Sequence, residues 1–313
     1  WKIVARQQGG WFDIEGEIPL SDEHILTMAQ LLSLLRERQG NYIRLSATDY
    51  VRLSDSLRRQ LERIDSVAQT RGNKVEVPEL AMTVLGSALQ GEMDIEEPES
   101  LIQMRKRIRE SEKANFAVPD RLNATLRDYQ VEGYEWMMRL LHWGAGACLA
   151  DDMGLGKTVQ TIAVLLAYAD SGAQMVVAPA SVVGNWQREI ARFAPSLNTV
   201  VLNDLSADER KSCIEHLQAG DILILTYGLL VFERESLTER AWTTIVLDEA
   251  HTIKNKETKS SAAAMQLHTD NRIILTGTPI QNHLGELWNL MQFINPGLLG
   301  SYDHFTERFV NPI

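Results

Sequence analysis

Short apolar runs alternate with amphipathic stretches over the chain from about residue 119 onward. Six of these runs have the length and the Val, Ile and Leu content of strands, and they lie at 147–150, 174–178, 199–203, 221–226, 243–248 and 272–276. Nearly continuous apolar strands that alternate with helices are typical of a parallel sheet covered on both faces. The pattern therefore predicts an α/β domain with a mainly parallel, doubly wound sheet and helices on both of its faces.

The first 117 residues show a different pattern, in which strand and helix signals are mixed. Alternating positions predict strands at 1–6 and 11–18 with a turn at Gly9-Gly10, and a hairpin at 41–45 and 50–53. Helical spacing predicts one helix capped by Ser21 and ended by Gly40, and others at 56–69, 79–89 and 99–113. The acidic stretch from Glu92 to Glu99 has the composition of a solvated linker. We therefore expect a small α+β accessory domain at 1–117, followed by the α/β domain at 118–313.

The segment from Asp152 to Thr158 carries the strongest chemical signal in the chain. It reads Asp-Met-Gly-Leu-Gly-Lys-Thr and lies between a short apolar run and a helix-forming run that starts at Val159. The two glycines let backbone N–H groups turn toward an anion, and the start of a helix adds partial positive charge. Lys157 can reach terminal phosphates, and the Thr158 hydroxyl can hold Mg²⁺. The strict pattern has Gly where this chain has Asp151, and a Gly-Leu-Gly turn before a helix also has a purely structural interpretation.

A second signal follows the apolar run at 243–247, which continues into Asp248-Glu249-Ala250-His251. Carboxylates at the end of a buried strand are poor core residues, because an unpaired buried charge is costly. In an open parallel sheet the carboxyl ends of the strands are where ligands bind. Asp248 is therefore assigned to Mg²⁺, and Glu249 to positioning or deprotonating the attacking water. A solvated acidic turn is the alternative for an isolated Asp-Glu pair.

Two weaker signals flank these motifs. Thr276-Gly277-Thr278-Pro279 follows the last strand, where its hydroxyls can link a nucleotide site to neighbouring structure, although a Gly-Pro turn is the plain alternative. Leu126–Gln130 precedes a helix that contains Gly133 and Trp136. The paired donor and acceptor of a glutamine can bind an adenine edge, although most helical glutamines are surface residues.

In the order Leu126–Gln130, Asp151–Thr158, Asp248–His251 and Thr276–Pro279, the chain resembles the Swi/Snf family of DNA-translocating ATPases, which belong to helicase-like superfamily two. Further segments fit the same family, namely 178–181 with Asn185-Trp186 and Glu189, 224–227, 284–288 and 293–297. The resemblance covers about 60% of the chain, from about Leu122 to the end. The loop of this family commonly has acidic residues before Met-Gly-Leu-Gly-Lys-Thr, so Asp151 fits the family pattern.

The resemblance implies a RecA-like P-loop lobe of three layers, with ATP and Mg²⁺ as cofactors. It makes Lys157, Asp248 and Glu249 catalytic, and Thr158 and Asp248 the residues that hold Mg²⁺. The implied nucleotide-binding residues are Arg127, Gln130 (at the adenine), Asp152, Met153, Gly154, Leu155, Gly156, Lys157, Thr158 and Val159. The residues implied to couple the nucleotide to DNA, or to contact DNA, are Ser181, Trp186, Thr226, His251, Thr276 and Thr278. Loops after strands, at 181–186 and 226–228, are where DNA-facing residues are expected.

The implied partners are duplex DNA, a second RecA-like lobe and a protein that is remodelled on DNA. In this family ATP lies between two lobes, and arginines of the second lobe stabilise the transition state. The chain stops where a first lobe would end, so we expect it to be an accessory region plus the first lobe of a bacterial motor. Alone, it is expected to bind ATP weakly and to hydrolyse it slowly or not at all.

Composition sets bounds on these expectations. The formal net charge of −11 over 313 residues argues against a simple nucleic-acid binder and predicts weak, salt-sensitive DNA contact through a local patch. Cys148 and Cys213 lie far apart, which suggests reduced thiols. No apolar run approaches the length of a membrane span, and no signal peptide opens the sequence. We therefore expect a cytoplasmic protein that associates with the nucleoid when active and has no membrane partner.

Two other functions are compatible with parts of the sequence. A self-contained P-loop phosphotransferase would need an acceptor pocket and a basic lid within the same lobe, and the sequence shows no arginine-rich lid. A nucleotide-sensing interaction module would use residues 1–117 to dock a partner while the lobe only senses nucleotide.

Overall fold

The computed structural model describes residues 2–8, 11–21, 24–36, 42–46, 49–88, 94–96, 98–152, 154–280 and 284–311. The chain forms two compact units. The first consists of Trp1–Arg107 together with Gly297–Ile313, and the second of Ile108–Pro296. Among the described residues, no helix is both long enough and apolar enough to cross a membrane.

The first unit contains short strands and amphipathic helices. Its strands are β1 (Lys2–Gln8), β2 (Trp11–Glu15), β3 (Glu17–Ser21), β4 (His24–Thr27), β5 (Tyr42–Arg44), β6 (Tyr50–Arg52), β7 (Gln69–Arg71), β8 (Lys74–Pro78) and β9 (Asp94–Glu96). Its helices are α1 (Met28–Arg36), α2 (Asp55–Val67) and α3 (Glu79–Ala88), and α4 (Glu99–Lys113) continues past residue 107. Five strands form a sheet in the order β7-β8-β2-β1-β9, while β3-β4 and β5-β6 are separate two-stranded sheets. Apolar side chains of β2, β8, α1 and α2 form one buried core under this sheet.

The predicted start of the first helix is wrong. Ser21 ends strand β3, which pairs with β4, and α1 begins at Met28. Thr27 caps this helix, because Gln30 Oε1 accepts from the Thr27 backbone N–H at 2.9 Å while the Gln30 backbone N–H donates to Thr27 Oγ1 at 3.3 Å. This reciprocal Thr-x-x-Gln arrangement is a capping box, and it lies six residues after the predicted cap. Gly40 and Gly9-Gly10 lie outside the described residues.

The prediction that Glu92 to Glu99 is a linker is also wrong for the centre of that segment. Asp94–Glu96 forms strand β9, which pairs in parallel with β1 in the register Lys2↔Asp94 to Val4↔Glu96. The predicted hairpin at 41–45 and 50–53 is confirmed by the antiparallel pair β5-β6. The predicted helices at 56–69, 79–89 and 99–113 are confirmed as α2, α3 and α4, and a Ser54 cap starts α2 at Asp55.

The second unit alternates strands and helices. Its strands are β10 (Ala147–Leu149), β11 (Gln174–Ala178), β12 (Asn198–Val201), β13 (Asp221–Thr226), β14 (Ala241–Asp248) and β15 (His268–Leu275). Its helices are α5 (Asp128–His142), α6 (Lys157–Ala167), α7 (Ala180–Phe193), α8 (Ala207–His216), α9 (Tyr227–Phe232), α10 (Arg234–Thr238), α11 (Lys259–Met265) and α12 (Leu284–Ile294). All neighbouring strands pair in parallel, in the order β10-β15-β14-β11-β13-β12. The predicted RecA-like α/β fold and its six strands are confirmed.

Side chains of the central strands alternate between two cores, one on each face of the sheet. Val246 of β14 packs in the core formed with α5, α6 and α7. Its neighbours Ile245 and Leu247 pack in the core formed with α8 to α12. Because both faces are covered, polar groups have room only at the strand ends, and the carboxyl ends of β10, β14 and β15 meet at one edge.

A close backbone contact fixes the sheet margin at Gly146, just before β10. The Gly146 N–H donates to Asn295 Oδ1 at 2.9 Å, and Asn295 Nδ2 donates back to the Gly146 carbonyl at 3.4 Å. A Cβ at this glycine would lie 2.4 Å from the Ile294 carbonyl oxygen and 2.9 Å from that of Arg272. Because Gly146 has no side chain, the end of α12 can lie directly against the backbone at β10 and β15.

The short C-terminal segment of the first unit contains α13 (Tyr302–Phe305) and a π-helical turn, Thr306–Val310. The rings of Phe305 and Phe309 lie 5.2 Å apart there.

Candidate nucleotide-binding site

The glycine loop connects β10 to α6. Gly154 and Gly156 have φ values of +86° and +78°, a region that costs about 1–2 kcal/mol for a residue with a side chain. Gly156 caps α6, and Lys157 is the first residue of that helix. Lys157 Nζ donates to the carbonyls of Asp151 at 2.6 Å and Asp152 at 3.1 Å, so its ammonium group lies over the loop. Met153 lies outside the described residues.

A cleft of about 430 Å³ brings this loop together with the end of β14 and one face of α7. Its walls are formed by Gly154, Gly156, Lys157, Thr158, Val159, Val182, Asn185, Trp186, Glu189, Phe193, Asp248 and Glu249. Backbone N–H groups at a helix start and a lysine ammonium supply the positive side of the cleft, and the carboxylates supply the negative side. This arrangement suits a polyanion that carries a divalent cation.

Asp248 is held by several hydrogen bonds. Its Oδ2 accepts from Trp186 Nε1 at 2.8 Å, its Oδ1 accepts from the Glu249 N–H at 2.9 Å, and its carbonyl accepts from the Tyr227 hydroxyl at 2.8 Å. Burial raises the pKa of Asp248, and the nearby Glu249 charge raises it further, while the bonds from Trp186 and the Glu249 amide and the Lys157 charge lower it. The net effect is a raised pKa, which means that the cleft disfavours the charged form of Asp248. A cation bound beside the carboxylate would offset this cost.

Glu249 follows with a left-handed backbone, φ 48° and ψ 53°. Among the described residues it is the one non-glycine residue with a positive φ. Its Oε2 lies 3.2 Å from His251 Nδ1, and its carbonyl accepts from the N–H and the hydroxyl of Thr252. The carboxylate is thereby turned into the cleft and kept beside an imidazole.

The cleft residues that the sequence assigns to Mg²⁺ are one threonine and one aspartate. Thr158 and Asp248 line the same cleft. Over the described part of the chain, no cluster of three or more His, Cys, Asp or Glu residues could hold a metal by itself. Mg²⁺ commonly keeps several waters and takes one or two protein ligands plus substrate phosphates, so this donor set fits Mg²⁺ that arrives with a nucleotide.

The comparison with known families agrees with this geometry. A model of the SNF2-related domain matches residues 129–313, which is more than half of the chain. The chain belongs to this family.

Individual SNF2-family proteins and structures are similar to about three fifths of this chain. YwqA of Bacillus subtilis, named as an ATP-dependent helicase/translocase, is 45% identical over 193 residues, which are 60% of this chain and 21% of YwqA. The transcription regulatory protein SNF2 of Saccharomyces cerevisiae is 38% identical over 198 residues, 61% of this chain and 12% of that protein. The Sulfolobus solfataricus SWI2/SNF2 ATPase core in complex with dsDNA is 42% identical, with a TM-score of 0.57 over 63% of this chain and 42% of that one. The chain thus spans about a fifth or less of the length of these two curated relatives.

Gln130, the implied adenine contact of the SNF2-related domain, is buried beneath the loop. Its Oε1 accepts from the Arg127 N–H at 3.0 Å, and its Nε2 donates to the Leu155 carbonyl at 3.1 Å. Both ends of the carboxamide are therefore bonded to backbone, one at the start of α5 and one in the glycine loop. Arg127 is exposed at the cap of α5. The adenine contact stays a prediction, while the structure shows that Gln130 supports the loop.

Thr276 and Thr278 lie at the end of β15. Thr276 is fully buried, its N–H donates to the Leu149 carbonyl at 3.2 Å, and its hydroxyl oxygen accepts from the Thr278 N–H at 3.1 Å. The end of β15 is thereby tied to the strand that leads into the glycine loop. The role of Thr276 and Thr278 in coupling nucleotide to DNA stays a prediction.

The expectation that 181–186 is a loop is wrong. Ser181 to Trp186 form the first turns of helix α7, and Trp186 is 1% exposed with its N–H bonded to Asp248. The apolar ring explains the difference, because it completes the core between α7 and the sheet. Ser181 is exposed, and its contact with DNA stays a prediction. Thr226 ends β13 and caps α9 by accepting from the Leu229 N–H at 3.4 Å, so 226–228 is also a helix start rather than a loop.

The sequence reasoning missed Val182 and Phe193 of the cleft, and it named Asn185 and Glu189 only as a segment that fits the family, without a role in the site. Val182, Asn185, Glu189 and Phe193 lie on one face of α7, and Asn185 Nδ2 donates to Glu189 Oε1 at 2.9 Å. Their spacing of three or four residues is the signal that could have identified them, since one helix face had to cover the strand edge.

Gly156→Ala is expected to weaken nucleotide binding at least about 10-fold, since about 1.4 kcal/mol of lost interaction has that effect. A Cβ here would lie 2.5 Å from Gln130 Nε2, in addition to the unfavourable φ. Gly220→Ala is the matched control, because Gly220 has φ +87° and no atom within 4 Å of its Cβ position. Calorimetric titration with ATP tests the pair, and equal affinities in the two variants would contradict a specific role of the loop.

Proposed function

We propose that this chain contains the ATP-binding lobe of a DNA-dependent ATPase that moves along duplex DNA and remodels protein–DNA complexes. The observation that carries the proposal is the single cleft in which Lys157 and Thr158 face Asp248 and Glu249. Such an arrangement of a glycine loop and two strand-end carboxylates suits phosphoryl transfer to water. The similarity to YwqA, named as an ATP-dependent helicase/translocase, and to an ATPase core in complex with dsDNA supports the direction of the proposal.

In this proposal, different residues of the cleft bind the phosphates, the metal and the attacking water. Backbone N–H groups of the loop and the Lys157 ammonium would bind the phosphates, once Nζ exchanges the two carbonyls for phosphate oxygens. Thr158 and Asp248 would hold the Mg²⁺ that accompanies ATP and offsets the phosphate charge. Glu249 would orient a water and accept its proton, and the imidazole 3.2 Å away would respond to the charge on Glu249.

Contact with duplex DNA would be local. The net charge of −11 opposes broad association with a polyanion, so binding by this chain alone is expected to be weak and to fall steeply with salt. A second RecA-like lobe would complete the nucleotide site and supply arginines. Activity in the cytoplasm, with association to the nucleoid during translocation, belongs to the same proposal.

The interaction module is the second candidate, and the folded first unit is the observation that favours it. That unit has its own sheet and its own core, so it can present a surface independently of nucleotide. Capture of a partner by the chain with equal strength in the presence and absence of ATP would support this function. A phosphotransferase would require an acceptor pocket that shares the Asp248 and Glu249 edge.

Lys157→Ala tests the motor. We expect a loss of ATP affinity of about 10- to 100-fold, because a charge-assisted hydrogen bond contributes about 1.5–3 kcal/mol. ATP hydrolysis is measured with and without duplex DNA, in this chain and in the full-length protein with its second lobe. DNA should stimulate only the longer protein, and Lys157→Ala should abolish the stimulation.

Lys211→Ala is the control for lost positive charge, since Lys211 is an exposed residue of α8 on the other side of the sheet. It should behave like the unaltered protein. Rapid turnover by the short chain, independent of DNA but sensitive to Lys157→Ala, would contradict the two-lobe motor and favour the phosphotransferase.

A further inference from the structure

The indole of Trp186 has an unusual partner for a buried tryptophan. Buried indole N–H groups generally find an acceptor. Trp242, which is equally buried at 1% exposure, donates to the backbone carbonyl of Leu237, five residues earlier in the chain, at 3.0 Å. Trp186 instead donates across 62 residues of sequence to the side chain of Asp248 at 2.8 Å. The two tryptophans make the same kind of bond, but only one of them ends on a carboxylate of the cleft.

The bond has a geometric consequence for that carboxylate. Oδ2 is held by the indole and Oδ1 by the Glu249 N–H, so the carboxylate cannot rotate without breaking at least one charge-assisted bond. Each carboxylate oxygen can accept about two hydrogen bonds, so each oxygen keeps one acceptor site, and Asp248 lines the cleft. The Tyr227 hydroxyl fixes the backbone of the same residue through its carbonyl. Trp186 of α7 and Tyr227 of α9 therefore fix the orientation of Asp248 before any ligand binds.

We propose that Trp186 is a positioning residue that orients Asp248 toward nucleotide-bound Mg²⁺. The proposal rests on the proposed function, because it assumes that Asp248 serves the metal. Groups that hold a metal-binding side chain in place typically contribute 10- to 100-fold to metal affinity or activity. Trp186 also lines the cleft through its ring, so its N–H can be removed while most of the wall is kept.

The test compares Trp186→Phe with Trp242→Phe in the full chain. ATP affinity is measured by calorimetry with Mg²⁺ and with a chelator, and the ratio of the two affinities gives the contribution of the metal. We expect this ratio to fall about 10-fold in Trp186→Phe, with the metal-free affinity unchanged within about twofold. Trp242→Phe loses the same indole bond at the same burial, so it should be destabilised to a similar degree and keep the ratio of the unaltered chain.

A double-mutant cycle with Asp248→Asn separates positioning from packing. If Trp186 acts through Asp248, the second substitution adds no further loss of the metal contribution. An unchanged ratio in Trp186→Phe, while Asp248→Asn lowers it, would overturn the inference and leave the proposed function intact. If the unaltered chain shows no difference between ATP with and without Mg²⁺, or if Lys157→Ala does not weaken ATP, then the proposed function itself fails.

A spectroscopic measurement on the unaltered chain covers the case in which Trp186→Phe does not fold. The indole ¹⁵N–H resonance of Trp186 should shift when Mg²⁺ is added to the ATP-bound chain, because its acceptor gains a metal. The Trp242 resonance serves as the internal reference and should stay in place. A Trp186 resonance that does not respond to Mg²⁺ would overturn the inference.

Discussion

Glu249→Gln is expected to lower the ATP hydrolysis of the proposed two-lobe motor, measured with duplex DNA, by about 10²- to 10⁴-fold, the usual contribution of a general base. Glutamine keeps the shape of the side chain but cannot accept a proton from water. The loop, Lys157 and Thr158 are untouched, so ATP binding should be unchanged or slightly tighter. Steady-state hydrolysis and ATP titration, carried out on the same preparation, measure the two effects separately.

Glu189→Gln is the matched control for this substitution. Glu189 lines the same cleft, but its carboxylate is bonded to Asn185 on the same helix face. The control removes the same charge from the same cavity without touching the strand end. If hydrolysis falls equally in both variants, the loss reflects the charge of the cleft, and Glu249 is not the base.

Gly146→Ala is expected to lower the free energy of unfolding by about 3 kcal/mol, at the upper end of the usual cost of overpacking. The obstacle is steric, because Gly146 does not have a positive φ and its Cβ position lies within 3 Å of the Ile294 and Arg272 carbonyl oxygens. Backbone atoms cannot move aside as the end of a flexible side chain can. The reciprocal bonds between Gly146 and Asn295 should be lost as well. Urea unfolding followed by circular dichroism measures the change.

Gly184→Ala is the control for the added methyl group. Gly184 is an exposed residue of α7, and the atom nearest its Cβ position is Arg188 Nη1 at 3.8 Å. Alanine favours a helix interior over glycine by about 1 kcal/mol, so this variant should be more stable than the unaltered chain. Destabilisation of both variants to the same extent would show that the contact at Gly146 is not the cause.

The sheet of the second unit could be predicted closely because burial on both faces leaves a plain signal. Ile245, Val246 and Leu247 are all buried, although they point to opposite cores, so the strand has no polar interruption. Fewer elements of the first unit could be predicted from the sequence. Strand β9 contains Asp94 and Glu96, and its pairing with β1 is a long-range contact that no local pattern carries. The start of α1 was predicted at Ser21, which pairs in a strand instead, and the helix is capped six residues later by Thr27 with Gln30.

The site shows a similar division. Its loop and acids are short motifs in which residue type and spacing carry the chemistry, so the sequence alone could propose them. The structure places Lys157, Asp248 and Glu249 in one cleft, and their roles stay predictions. The position of Trp186 could not be found in this way. An aromatic residue in a polar segment fits a surface contact and a core contact equally well, and only the packing of α7 on the sheet decides between them.

The backbone of Glu249 has a consequence for how this protein can evolve. A left-handed conformation costs a residue with a side chain about 1–2 kcal/mol, and glycine or asparagine would relieve much of it. Selection for stability alone would therefore replace this acid, so the proposed role of Glu249 as a general base predicts that it is kept in spite of this cost. A library of variants that is screened only for thermal stability is therefore expected to select substitutions of Glu249 that stabilise the fold and lose ATP turnover.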